Sequence, residues 1–227
     1  MRNFSIAAAA LAVFLPLASI TAFAAETAGG QVVGGQVVGD SAAGATKAAT
    51  CTACHGLNGN SVNPDWPVLA GQNAVYLTQQ INAFRAGHRV NVLMLPMVQS
   101  LTDQDVADLA AFYAKQTPAG LEADPSYWEA GKVLYRGGDV KRDIPACIAC
   151  HGPIGRGVPA AGYPALQAQH SVYTVRQLST YADDSRYARD DQGRSQGTPN
   201  AHMMTTISGR LTAEERRNLA SYLQGMR

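Results

Sequence analysis

Charge is scarce in this chain: Asp, Glu, Lys and Arg make up 15% of its 227 residues and nearly cancel, to a formal +1. So even a balance gives no electrostatic footprint for nucleic acid. Aromatic residues are few, at 7% with two tryptophans. Alternating apolar and polar runs of strand length are missing, which argues against a sheet and against a thioredoxin-like βαβ unit. Beyond residue 24 no stretch is apolar enough to cross a bilayer. Cysteine is rarer still, with only four in the whole chain.

All four fall in two copies of one motif, Cys51-Thr52-Ala53-Cys54-His55 and Cys147-Ile148-Ala149-Cys150-His151. Thiols three residues apart lie on one helical turn, where each can add to a vinyl group of the same porphyrin while the next residue, histidine, is carried under the iron. The motif therefore predicts two covalently attached haem c groups, with His55 and His151 as proximal iron ligands. The two pairs are 96 residues apart, far beyond the roughly 15–20 residues between the halves of a zinc ribbon. Two disulfides would need no histidine after the second cysteine. Buried porphyrins would also supply apolar volume that two small domains with few aromatics lack.

Residues 1–25 read as a signal peptide. Arg2 precedes an apolar run from Ile6, broken by Pro16, and Ala22-Phe23-Ala24 supplies small residues for cleavage. The alternative is an uncleaved anchor. Export suits c-type haem attachment, which is completed outside the cytoplasm, and the periplasm is the expected compartment. Residues 26–40 repeat Gly-Gln-Val-Val-Gly and read as a flexible leader in which the Val-Val pairs could form a transient strand.

The remainder aligns on itself. His55-Gly56 matches His151-Gly152, Pro67-Val68-Leu69 matches Pro164-Ala165-Leu166, and Gln72, Tyr76 and Gln80 match Gln169, Tyr173 and Gln177. Two tandem all-α domains follow, 41–116 and 125–227, joined by a linker at 117–124 that contains Pro118 and Gly120. Helical spacing is expected over 41–53, 73–86, 102–115, 125–136 and 171–181, and Thr212 with Glu215 opens a last helix, as Thr102 with Asp105 opens its counterpart. Charge divides unevenly: residues 26–124 hold four basic against eight acidic side chains, and residues 125–227 hold thirteen against nine. Such a dipole predicts ends that face different redox partners.

The sixth iron ligand decides whether a haem can bind a reactant or only pass electrons. Met1 lies in the signal and Met226 at a frayed end, leaving Met94 and Met97 in one pair and Met203 and Met204 in another. Met94 precedes Leu101 by seven residues and Met204 precedes Leu211 by seven, which selects Met94 and Met204. Met97 and Met203 are the fallback, and His202 is the alternative at the second haem. His88 and His170 are expected in packing or surface roles. Pro67 and Pro164 could accept a hydrogen bond from the other nitrogen of each proximal histidine.

With these residues assembled, positions 41–227 resemble the cytochrome c4 family of tandem class I cytochrome c domains, through the two Cys-x-x-Cys-His-Gly motifs, the two Pro-x-Leu-x-x-Gln segments and the two methionines. The resemblance implies a periplasmic carrier, with or without peripheral attachment to the membrane, that has His/Met ligation at both irons and no catalytic residue. It implies a quinol-oxidising complex and a terminal oxidase as redox partners. A dihaem subunit of a dehydrogenase complex and a dihaem peroxidase are the alternatives. One departure is that the repeat offset grows from 96 at the haem motifs to 110 at the methionines. The added residues fall in 181–201, read as a loop that covers the second haem's edge or docks a partner.

Overall fold

The computed structural model describes Met1, residues 32–33 and residues 36–226; the rest of the expected signal peptide lies outside the described residues. Two short strands, β1 (Val32–Val33) and β2 (Gln36–Val37), pair antiparallel, and every larger element among the described residues is helical. The first half contains α1 (Ser41–Lys47), α2 (Thr52–His55), α3 (Ala74–Arg85), α4 (Leu95–Val98) and α5 (Asp103–Ala114). The second contains α6 (Trp128–Gly137), α7 (Ile148–His151), α8 (Ser171–Ala182), α9 (Pro199–Gly209) and α10 (Ala213–Gln224).

Local chemistry sets most of these boundaries. Asp40 and Asn73 cap α1 and α3 by accepting from Ala42 N and Tyr76 N. Thr102 with Asp105, and Thr212 with Glu215, form complete capping boxes on α5 and α10. Two expectations are corrected. The stretch 181–201 is not loop to its end, because Thr198 caps α9 and Pro199 occupies its first turn. Met226 is not frayed: it is 7% exposed and packs into the second core.

Each half is built on one helix crossing. In the first, α1 lies on α5 with Gly44 at the contact, and a Cβ there would stand 2.1 Å from the Asp108 carbonyl oxygen. In the second, α6 lies on α10, and a Cβ on Gly131 would stand 2.0 Å from the Asn218 carbonyl oxygen. Glycine is what lets the backbones meet. Around the first crossing Ala48, Leu77, Leu109, Ala110 and Tyr113 form a core that Cys51 packs against. Around the second, Leu134, Tyr135, Ile144, Leu211, Leu219 and Leu223 form a core that Cys147 packs against. Core packing and the haem motif are thus joined directly in both halves.

The halves also hold each other. Asn73 Nδ2 donates to the Tyr163 carbonyl at 2.9 Å, and His170 Nε2 lies 2.9 Å from the Ser61 carbonyl. Arg176 pairs with Asp65 at 3.1 Å on the surface. The longer segment of the second half does not stand free: Ala188 N donates to the His88 carbonyl at 2.7 Å, and the Tyr187 hydroxyl meets Gln80 at the end of its own ring.

Candidate haem sites

The two motifs fold alike because their backbones close the same turn. His55 N donates to Cys51 O and His151 N donates to Cys147 O, both at 2.9 Å, so each first cysteine and its histidine are one turn apart. Gly56 and Gly152 then end α2 and α7 with φ of 74° and 78°, a conformation that side chains other than glycine's rarely adopt. Beyond each turn the chain doubles back to its proline. His55 Nδ1 lies 2.9 Å from the Pro67 carbonyl, and His151 Nδ1 lies 3.0 Å from the Pro164 carbonyl.

A carbonyl can only accept, so Nδ1 carries the proton in each ring and Nε2 keeps its lone pair for a metal. Both rings are buried, at 8% and 6% exposure. Burial lowers both histidine pKa values against the opposing pull of the proline carbonyls. The neutral, ligating form is therefore favoured. Burial also pushes the Cys147 thiol up to about 11 before any thioether forms.

The methionines divide the same way in both halves. Met94 and Met204 are half-buried, whereas Met97 and Met203 are 49% and 44% exposed. Their settings differ, since Met94 stands at the start of the four-residue α4 and Met204 lies within the eleven-residue α9. His202 and His88 are exposed, and the buried His170 is committed to Ser61.

Between the halves lies a polar cluster that sequence reasoning did not assign. Arg186 is 6% exposed; its guanidinium donates to the Tyr76 hydroxyl at 3.0 Å and to Gln80 Oε1 at 3.3 Å, and it lies 4.8 Å from the Tyr181 ring centre. Arg89 donates to Gln80 at 2.8 Å, to Tyr173 at 3.2 Å and to Gln177 at 3.0 Å. Burial opposes ionisation of Tyr173, but Arg89 and Arg186 outweigh it and hold that hydroxyl below its usual range.

Among the described residues no carboxylate pairs with Arg186, and its buried Nε and Nη1 have no hydrogen-bond partner. An interior cation with two idle donors calls for an anion. Haem c carries two propionates, so this orphaned guanidinium, the four free thiols and the two Nε2 atoms all fit that group. The repeat contained a signal for it, because Arg186 follows Arg89 by 97 residues, as Tyr173 follows Tyr76 and Gln177 follows Gln80.

Comparison with known proteins bears on the two domains as wholes. The family model described as "Cytochrome c" matches twice, at residues 41–116 and 129–227. A cytochrome c4 of Thiocapsa roseopersicina is 42% identical over 201 residues, 88% of this chain and 99% of the relative. A "thiosulfate dehydrogenase electron acceptor" of Thiomonas intermedia is 36% identical over 78% of each chain. The crystal structure of reduced cytochrome c4 from Pseudomonas stutzeri superposes with a TM-score of 0.76 at 36% identity, covering 84% of this chain and 100% of that one.

Proposed function

From the premise that this chain belongs to the cytochrome c4 family and is a dihaem electron carrier of two cytochrome c domains, we propose that it holds both irons in closed coordination spheres, by His55 with Met94 and by His151 with Met204. The observation that carries the reading is the duplicated division of side chains. In each domain one imidazole offers Nε2 with Nδ1 tied to a proline carbonyl, and one methionine of a pair is drawn out of solvent.

A bound haem supplies a one-electron ferric/ferrous couple. The protein's part is to keep geometry constant while charge changes. The Pro67 and Pro164 carbonyls fix the two imidazole rings, and Cys51, Cys54, Cys147 and Cys150 would hold the porphyrins through thioether bonds. With these four side chains holding the irons, no position would remain for peroxide or another reactant, so no catalytic residue is assigned.

The physiological setting follows from export and from kinship. Thioether attachment and the signal-like first 25 residues support the periplasm, and no described helix is long and apolar enough to cross a membrane. Electrons enter from a quinol-oxidising complex or a periplasmic dehydrogenase and leave to a terminal oxidase. A dehydrogenase as donor is favoured by the relative named as an acceptor for thiosulfate dehydrogenase.

Oxidised wild type, Met94→Ala and Met204→Ala, compared by visible and far-red absorption, test the ligation. Each substitution removes about half of the methionine-to-iron band. An unchanged band would reject that methionine, and Met97→Ala or Met203→Ala would then identify its replacement.

A further inference from the structure

Beyond the ligands, Gln72 and Gln169 occupy equivalent positions in the two domains, and each reaches across the interface to the other's proline turn. Gln169 Oε1 accepts from Val68 N at 2.9 Å, and Gln169 Nε2 donates to Val68 O at 2.9 Å. Gln72 Oε1 accepts from Ala165 N at 2.8 Å, and Gln72 Nε2 donates to Ala165 O at 2.9 Å. A backbone N–H can only donate and a carbonyl can only accept, which fixes the orientation of both amides.

Val68 and Ala165 follow Pro67 and Pro164. The Pro67 carbonyl and the Val68 N–H therefore belong to one peptide group, as do the Pro164 carbonyl and the Ala165 N–H. Two short chains of hydrogen bonds result: His55 Nδ1 to Pro67 O, then Val68 N to Gln169, and His151 Nδ1 to Pro164 O, then Ala165 N to Gln72. Each runs from a histidine of one domain to a side chain of the other.

We propose that Gln72 and Gln169 are positioning residues acting across the interface, each setting the reduction potential of the haem in the opposite domain. The proposal rests on His55 and His151 being the proximal ligands. Accepting a hydrogen bond from the peptide N–H pushes density through the amide onto its carbonyl oxygen and makes that oxygen a better acceptor, since linked hydrogen bonds polarise one another. A better acceptor draws the Nδ1 proton and leaves the imidazole a stronger donor to iron, which favours the ferric state. The second bond of each amide, to Val68 O or Ala165 O, anchors the turn so that the first keeps its geometry. Gln72 is 8% exposed and Val68 is 7% exposed, so water is poorly placed to substitute.

The test uses the intact dihaem protein with Gln169→Met and Gln72→Met, which keep length and remove both hydrogen bonds to the opposite domain, along with those each Oε1 accepts from its neighbour His170 or Asn73. Site-resolved potentials from haem methyl resonances during stepwise reduction are the readout, with ¹⁵N-labelled histidine reporting each Nδ1–H. Gln169→Met raises the potential of the haem on Cys51 and Cys54, weakens the His55 Nδ1–H bond and leaves the other haem unchanged. Gln72→Met does the converse. Arg176→Ala, which removes the surface contact to Asp65 and the guanidinium over the Tyr173 ring but no bond of either glutamine, moves neither potential and so controls for a loosened interface.

A shift at the haem of the substituted residue's own domain, a shift at neither haem, or a shift in the Arg176→Ala control equal to that in the glutamine variants would overturn the proposal. Should His55 or His151 lack the hyperfine shift of an iron ligand in the wild type, the ligation reading fails first, and separately.

Discussion

Substituting Gly131 by alanine should weaken the second domain by a predictable amount. The new Cβ would stand 2.0 Å from the Asn218 carbonyl oxygen and 2.5 Å from its carbonyl carbon, with Tyr222 Cβ at 2.9 Å. Carbon–oxygen contacts between backbones are tolerated at about 3.3 Å, so α6 and α10 would have to part by more than about 1 Å. The obstructing atoms are main-chain, and no rotamer change relieves them. Overpacking of this kind costs up to about 3 kcal/mol. Alanine returns about 1 kcal/mol through its higher helix propensity, leaving a net loss of about 2 kcal/mol. For a domain of roughly 100 residues that lowers Tm by roughly 8–16 °C.

Thermal unfolding of the holoprotein, followed by far-ultraviolet circular dichroism and Soret absorption, measures this loss. Gly137→Ala is the control, because nothing lies within 4 Å of a Cβ built at Gly137. Gly131→Ala melting within about 2 °C of wild type, or Gly137→Ala falling as far, would refute the claim that glycine is retained for helix approach. Gly44→Ala should lower the first domain's transition by the same reasoning.

The first domain should also respond to acid. Lys47 lies 2.7 Å from Asp105 and 2.5 Å from the buried Asp108; hydrogen bonds from Lys47 and Thr102 hold Asp105 at about 2, below its ordinary 3.8. A depressed folded-state pKa stabilises fully above the unfolded value and is lost as pH falls from about 4 to about 2. Melting temperatures of Lys47→Met should therefore fall less steeply across that window than those of wild type, and equal slopes would remove the role given to Lys47. The opposed charge of the two halves predicts rates of electron transfer with a charged partner that change with ionic strength. Stopped-flow rates constant between low and high salt would dismiss that dipole as inert.

Much of the architecture could be read from residues whose chemistry is local. A cap needs only its own first turn, so Thr102 with Asp105 and Thr212 with Glu215 announced α5 and α10 from sequence alone. The haem motifs are equally local, confined to five consecutive residues. The start of α9 carried the same kind of signal in Thr198-Pro199, but the charge and glycine around it masked a helix that reaches back before Ala201. Met226 was misread because a terminal position says nothing about the Leu134 and Ile144 side chains that make up its core.

The polar interface was illegible for a different reason. Arg186 and Gln80 are 106 residues apart, and Gln72 and Ala165 are 93 apart. No propensity or period reports which backbone atom a glutamine will meet after two domains dock. The repeat identified the pairs Gln72/Gln169 and Gln80/Gln177 only as equivalents, and packing turned that equivalence into reciprocity.

That reciprocity explains where the two halves were free to diverge. From the prolines through the glutamines and tyrosines to Arg89 and Arg186, the spacing between equivalents stays at 97 residues. Only between Arg186 and Met204 does it jump, to 110. Both glutamines of the exchanged hydrogen bonds lie before the jump, and a shift of even one residue within that stretch would carry a glutamine off the peptide it grips. The added segment enters after the last interface arginine, where Ala188 N still joins the His88 carbonyl, and it leads into α9 without disturbing that register. Lengthening there changes the setting of Met204, on an eleven-residue helix where Met94 has only a four-residue one, while leaving the two proximal sides matched. Under the proposed ligation, any inequality of the two redox centres should therefore arise more from the methionine side than from the histidine side.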